Sequence, residues 1–143
     1  MINTIIKRFD DLSTMELYKI LQVREEVFVL EQNCVYKDLD DIDLNATHFY
    51  LEENKKILAY LRTYQKDDKT MMMGRVLTSI RGRGYGLKLL NTAIEYLKER
   101  GKRNFFLNSQ SYAIGFYQKA GFQVCSQEYI LDSIKHVDMF LNL

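Results

Sequence analysis

Arg81-Gly82-Arg83-Gly84-Tyr85-Gly86 is the stretch from which the rest of the chain can be read. Three glycines alternate with Arg83 and Tyr85, between an apolar run that ends near Thr78 and a helical pattern that begins near Gly84. Glycine reaches backbone conformations closed to other residues and lets the chain approach a ligand closely. The first turn of a helix has unpaired N–H groups and a partial positive charge, which suits a phosphate. Arg81 and Arg83 add charge-assisted donors beside it. By itself the turn has two readings: a diphosphate cradle, or a tight turn whose glycines serve only packing. Three familiar phosphate loops do not fit it. Gly86 is followed by Leu87-Lys88-Leu89 rather than by the Lys-Ser/Thr of a P-loop. The glycines sit past mid-chain with the wrong spacing for a dinucleotide fingerprint. A kinase loop would need a much longer chain carrying its metal-binding aspartate.

Working outward, the segment from about Gly84 to Arg100 predicts a helix with Leu87, Leu90, Ile94 and Leu97 on its buried face and Gly101 as its stop. Upstream, Ile2 to Phe9 reads as a first strand. Ser13 with Glu16 forms a capping box for a helix that presents Leu17, Ile20, Leu21, Arg24, Val27 and Phe28 on one face. Arg24 is the odd member of that stripe and needs an acidic partner if buried. Residues 31–45 carry Glu31, Asp38, Asp40, Asp41 and Asp43 with little apolar periodicity, the pattern of an acidic loop. Strands are predicted over 48–52 and 57–64, joined by a turn at Asn54-Lys55, and over 71–78 after a turn at Asp67-Asp68-Lys69. Downstream, Phe105-Phe106-Leu107 starts a strand and Ser111 can cap a short helix reaching Tyr117 to Gly121. Two strands close the chain near 123–131 and 136–141, joined by Asp132-Ser133. This order predicts one α+β domain over residues 1–143, a layered mixed sheet with helices on its faces.

Composition sets the outer limits. The 143 residues are 47% hydrophobic and 27% charged, with a formal net charge of +1. That is the balance of a folded domain, and nothing in it steers the surface toward nucleic acid or an anionic membrane. Apolar runs such as Val27-Phe28-Val29-Leu30 are too short to span a bilayer, and the N-terminal residues lack the pattern of a secretion signal, so a cytoplasmic location is expected. Two cysteines, Cys34 and Cys125, and two histidines, His48 and His136, show no metal-ligand spacing, and no metal is expected.

A longer pattern resolves the two readings of the glycine turn. Arg81-x-x-Gly84-x-Gly86 resembles the coenzyme A motif of the GNAT N-acetyltransferase superfamily, and Ala113 to Phe122 resembles that family's Ala-x-x-x-Tyr-x-Lys-x-Gly-Phe segment. The run from Arg24 through Val27-Phe28-Val29, Glu31-Gln32, Cys34, Tyr36, Asp38 and Asp40 to Asp43 is similar to the ElaA-like subgroup. The resemblance covers nearly the whole chain. It implies the acyl-CoA N-acyltransferase fold, a mixed sheet of about six to seven strands flanked by about four helices. It also implies transfer of an acetyl group from acetyl-CoA to a primary amine of a small molecule or peptide, by a monomer or homodimer. The alternative is a module that holds coenzyme A as a sensor or partner domain without turnover.

Residue roles follow from the same resemblance. Val76, Leu77 and Thr78 would hold the pantetheine arm through backbone groups, and Arg81, Gly82, Arg83, Gly84, Tyr85 and Gly86 would hold the pyrophosphate. The link from Val76 to Arg81 is shorter than the family pattern, which leaves open which strand residue faces the thioester. Tyr117 would be the general acid that protonates the departing thiolate. Gln110 is placed to bond the pantetheine amides, with Asn108 as a competitor, and Lys119 to reach the adenosine phosphates. For the general base, Glu31, Asp38, Asp40, Asp43 and His48 are available, and the alternative is that water carries the proton with no single residue essential. Glu31 is chosen because partial burial after an apolar helix end would raise its pKa, although Glu31 could instead be the partner of Arg24. Cys34 is read as a buried residue rather than a nucleophile. The acids of the 31–45 loop would favour a cationic acceptor.

Overall fold

A computed structural model describes residues 1–143. Strand β1 (Asn3–Arg8) leads into α1 (Thr14–Arg24), which continues without a break as a π-helical segment, Glu25–Glu31. Strands β2 (Thr47–Glu53), β3 (Lys56–Gln65) and β4 (Thr70–Thr78) form a meander. Helix α2 (Tyr85–Glu99), β5 (Asn104–Gln110), the short α3 (Ile114–Gln118), β6 (Gln123–Val124), β7 (Tyr129–Leu131) and β8 (Ile134–Asn142) complete the chain. The eight strands form one sheet in the order β1-β2-β3-β4-β5-β8-β6, with β7 also paired to β8. Every pairing is antiparallel except β4 with β5. No helix is long and apolar enough to cross a membrane.

Local sequence explains the ends of these elements. Ser13 Oγ accepts the Glu16 N–H at 3.0 Å while Glu16 Oε1 accepts the Ser13 N–H at 2.8 Å, the capping box read from the sequence. The β2–β3 turn places both Asn54 and Lys55 at positive φ, which matches the strands' right-handed twist. Alternation along β2 sorts side chains to two faces. Phe49 and Leu51 enter a core that includes Leu89, Leu90, Ala93, Ile94 and Leu97 of α2. Tyr50 enters a second core with Ile20 and Val23 of α1 and Val27 and Phe28 of the π-helical segment.

Several expectations need correcting. The sheet has eight strands rather than six or seven, because the segment near 123–131 divides into β6 and β7, and there are three α-helices rather than four. The buried face of α2 holds Gly86, Leu89 and Ala93 beside Leu90, Ile94 and Leu97, and Leu87 is only half-buried. Two of those positions are too small to register as hydrophobic in a periodicity count. Ser111 caps no helix, because it lies inside a 3-10 turn, Ser111–Ala113, that runs into α3, and its hydroxyl donates to Glu128. The acidic loop is not a solvated one, since Asp43 is buried.

What positions the site is the parting of β4 from β5. They pair only at Thr70–Met72 with Asn104–Phe106. Beyond that point β4 carries a bulge, with Arg75 at φ 51° and the register to β3 slipping between Gly74 and Leu77. A bulge bends its strand and increases local twist. Past Met72, the edge of β4 that faces β5 has no strand partner, so its backbone N–H and C=O groups open onto a cleft.

Candidate active site

Two cavities open between the diverging strands. The larger, about 660 Å³, is lined by Val76, Leu77 and Thr78 of β4, by Arg81, and by Phe116 and Tyr117 of α3. The π-helical segment closes its other side with Val27 and Glu31. The second, about 260 Å³, lies toward the acidic loop and includes Tyr36, Asp40, Arg62, Arg75, Asn108 and His136. The cavities share Gln32, Val76, Gln110, Tyr112, Ala113 and Tyr117. Tyr117 is therefore among the residues at which a ligand in one would meet a ligand in the other.

Tyr117 is 9% exposed and its ring is gripped edge-on by Phe116, at 5.0 Å between centroids, and by Phe122, at 6.1 Å. Its hydroxyl makes no hydrogen bond within the protein. Burial, reinforced by nearby Tyr112, pushes the phenol above its ordinary pKa, so it stays protonated through the physiological range. This is the state a proton donor needs.

The glycine turn is an exposed loop that opens directly into a helix. Gly82 and Gly84 lie at φ 79° and 75°, and Gly84 is the residue on which α2 begins. Apart from the adjoining residues of the chain, no protein atom comes within 4 Å of where a Cβ would stand on either, so the glycines are there for backbone conformation rather than packing. Arg81 and Arg83 flank an exposed loop at the helix N-terminus. The donor set fits an anionic ligand. Gly86 differs, because its Cβ would meet Thr78 Oγ1 at 2.5 Å, which ties the start of α2 to the end of β4. Between them, Ser79 pins the short link, donating from its hydroxyl to Ile57 O at 2.6 Å and from its N–H to Leu58 O at 3.0 Å.

The arrangement therefore offers an anion-binding helix start, an open strand edge, a protonated phenol and an adjoining second cavity. Residues 12–143 match the acetyltransferase (GNAT) domain family. The chain belongs to the GNAT family. A UPF0039 protein of Schizosaccharomyces pombe is 40% identical over 97% of this chain and 96% of its own length. Escherichia coli ElaA is 35% identical over 90% of this chain and 89% of its own. The crystal structure of ElaA superposes with a TM-score of 0.92 at 32% identity, covering 99% of this chain and 100% of that one. An acyl-CoA N-acyltransferase from Pseudomonas aeruginosa superposes with a TM-score of 0.89 at 31% identity, covering 97% and 99%. This GNAT protein is thus an acyltransferase of the ElaA-like subgroup.

The remaining residues singled out from the sequence fall in different places. Gln110 is half-buried where the cavities meet, with its amide toward Gln32 Oε1 at 3.5 Å. Asn108 is engaged by Tyr129 and by Asp138, at 2.7 Å, and touches only the smaller cavity. Tyr85 is half-buried in the first turn of α2 and Lys119 is exposed at the end of α3. Glu31 is exposed and accepts from Arg81 Nη2 at 2.7 Å, so the burial for which it was chosen as base is not there, and it is not the partner of Arg24. That partner is Asp43, at 2.7 Å, together with Asp38 at 3.1 Å. Arg62 binds Asp40 and Asp43, and Arg75 binds Asp38 and Asp40. Burial works to raise Asp40 and Asp43, but the arginines outweigh it and hold both below the usual carboxylate range.

His48 is also spoken for. Its Nε2–H donates to Asp43 O at 3.0 Å and its Nδ1 accepts from Tyr60 Oη at 2.7 Å, while burial depresses its pKa. Cys34 is buried in the second core, and burial pushes its thiol up. No group of three or more His, Cys, Asp or Glu side chains is placed to hold a metal ion. Tyr112 and His136 also line the site, with no role legible for them in the sequence, and so does Gln32, which belongs to the Arg24–Asp43 run but has no role assigned by it.

Proposed function

We propose that this protein transfers an acetyl group from acetyl-CoA to a primary amine of a small molecule or peptide, by direct attack of the bound amine. The meeting of the two cavities at Tyr117 carries this reading. The larger cavity adjoins the glycine turn and the smaller leads away from it, so donor and acceptor would approach from opposite sides of one phenol. Acetyl-CoA would supply the activated thioester. Arg81, Arg83 and the N–H groups from Gly82 to Gly86 would hold the pyrophosphate, and the open edge of Val76, Leu77 and Thr78 would bond the pantetheine arm. The Gln110 amide would hold the arm from the facing strand, and Lys119 would lie on the adenosine phosphates. Tyr117 would give its proton to the departing sulfur. Glu31 is better read as the counter-ion of Arg81 than as the base, and no metal takes part in this scheme.

Thiol release across a broad panel of amines tests the proposal. Tyr117→Phe is expected to lower kcat by about 10²–10⁴-fold while acetyl-CoA still binds. Tight cofactor binding by the wild type with no thiol release on any amine would favour the sensor alternative.

A further inference from the structure

We infer that His136 is the general base of the acetyl transfer, taking the proton from the acceptor's ammonium through its Nε2. This rests on the N-acetyltransferase reading above and adds the group that reading lacked. His136 is 8% exposed on β8, directly across from Gln110 on β5, and it borders the smaller cavity. Its Nδ1 lies 2.8 Å from Ile134 O. A carbonyl only accepts, so Nδ1 must carry the hydrogen, and in the neutral ring the lone pair is then on Nε2. Nε2 has no partner within the protein and is not sealed from solvent. The ring is held in this pose by stacking on Tyr129, at 6.0 Å and 20° between planes, and Tyr129 is itself fixed on Asp138 at 2.5 Å.

Of its rivals, Asp132 also borders the smaller cavity but stands exposed on the β7–β8 turn, and the rest are spoken for. His48 uses both ring nitrogens. Asp40 accepts from Arg62 at 2.7 and 2.9 Å, and Asp43 from two arginines. Glu31 is bound to Arg81 and does not border the smaller cavity. Imidazole is the side chain best matched to moving a proton near neutral pH. The charged or titratable groups near it are Tyr129 on β7, Asp138 on β8, Asp132 on the turn between them, Arg75 on β4, and Tyr112 and Tyr117 beyond β5.

The protons balance. The acceptor arrives as R–NH3⁺ and gives one proton to His136 Nε2, which passes it to solvent. The amine lone pair forms the new C–N bond, the C–S bond breaks, and Tyr117 protonates the sulfur. The second nitrogen proton, lost as the amide forms, restores the Tyr117 hydroxyl. The sum is R–NH3⁺ plus thioester giving amide, thiol and one released proton.

His136→Asn keeps a donor near the Nδ1 position for Ile134 O but has no basic nitrogen. It is tested against an aliphatic amine, cationic at neutral pH, and an acceptor of low basicity that is already neutral. For the aliphatic amine kcat should fall about 10²–10⁴-fold, with the KM for acetyl-CoA unchanged and the loss shrinking as pH rises. The neutral acceptor should lose far less. Imidazole added to His136→Ala should restore turnover. Wild-type kcat and pH profile in His136→Asn, or equal losses on both acceptors in a variant with unchanged Tm, would overturn the base while leaving N-acetyl transfer standing. Wild-type silence on every amine would overturn both.

Discussion

Gly86→Ala sets two physical effects of opposite sign against each other. Gly86 is the second residue of α2, and replacing glycine by alanine in a helix ordinarily stabilises it by about 0.5–1 kcal/mol. Here the new Cβ would stand 2.5 Å from Thr78 Oγ1 and 3.3 Å from Cε1 and Cζ of Phe116. Non-bonded heavy atoms settle near about 3.5 Å, so the Thr78 contact is short by roughly 1 Å. Thr78 is β-branched and stiff at χ1, so β4 and α2 must move apart rather than a side chain swing away. Overpacking of this kind costs about 1–3 kcal/mol, which cancels the helix gain at the low end and exceeds it by about 2 kcal/mol at the high end, lowering Tm by up to roughly 8 °C. The two elements that separate are those beside the larger cavity, so the KM for acetyl-CoA should rise as well. Thr78→Ala removes Oγ1, leaving only the Phe116 ring to give by a few tenths of an ångström, so Gly86→Ala in that background should be neutral or stabilising. A double-mutant cycle by urea denaturation reads the coupling directly. A rise in Tm for Gly86→Ala alone, or an equal loss in both backgrounds, would refute the steric account.

Two further outcomes follow from charge. His48 has its pKa depressed by burial, so the unfolded chain binds its proton more readily than the folded one. Its contribution is complete above about pH 6.5, the ordinary histidine value, and stability should decline on acidification by up to about 1.4 kcal/mol per pH unit until the folded pKa is passed. Urea midpoints measured from pH 8 to 5 check this, and a flat profile would contradict it. Glu31→Gln frees Arg81 from an exposed ion pair, whose partners are 69% and 49% exposed, so Tm should hold and kcat should stay within about twofold. A fall in kcat of about 100-fold or more would restore Glu31 as the base.

Features that depend on near neighbours in sequence were legible. The Ser13–Glu16 capping box, the Asn54-Lys55 turn and the positive-φ Gly82 and Gly84 are each written in a few consecutive residues. Arg81 from the first quoted segment and Ala113, Phe116 and Tyr117 from the second line one cavity, because each segment keeps its own residues close together in the fold. No role for His136 was legible because its significance depends on the partner strand: only the β5–β8 register sets it against Gln110. Tyr112 and Gln32 had none legible for the same reason, joining across the cleft at 3.3 Å from positions far apart in sequence. The end of α1 misled in another way. A 3.6-residue period has no signal for the change to π-helical winding at Glu25, which carries Val27 into the larger cavity.

The acids of residues 38–43 show why counting charge along a sequence can mislead about a substrate. Read as a run, they suggest a negative surface waiting for a cation. Folded, Asp38, Asp40 and Asp43 face Arg24, Arg62 and Arg75, three charges against three, so the cluster offers an approaching cation little net field. Arg24 is fully buried and Arg62 is 2% exposed, so each needs its acids whatever the substrate. Arg75 binds the main-chain carbonyl of Asp38 as well as its side chain, and it sits on the bulge that bends β4 away from β5. The acidic loop is therefore attached to the strand distortion that opens the cleft. Selectivity for an amine then has to come from what the smaller cavity presents outside the network: the aromatic wall of Tyr36 and Tyr112, the carboxylate of Asp132 and the imidazole of His136.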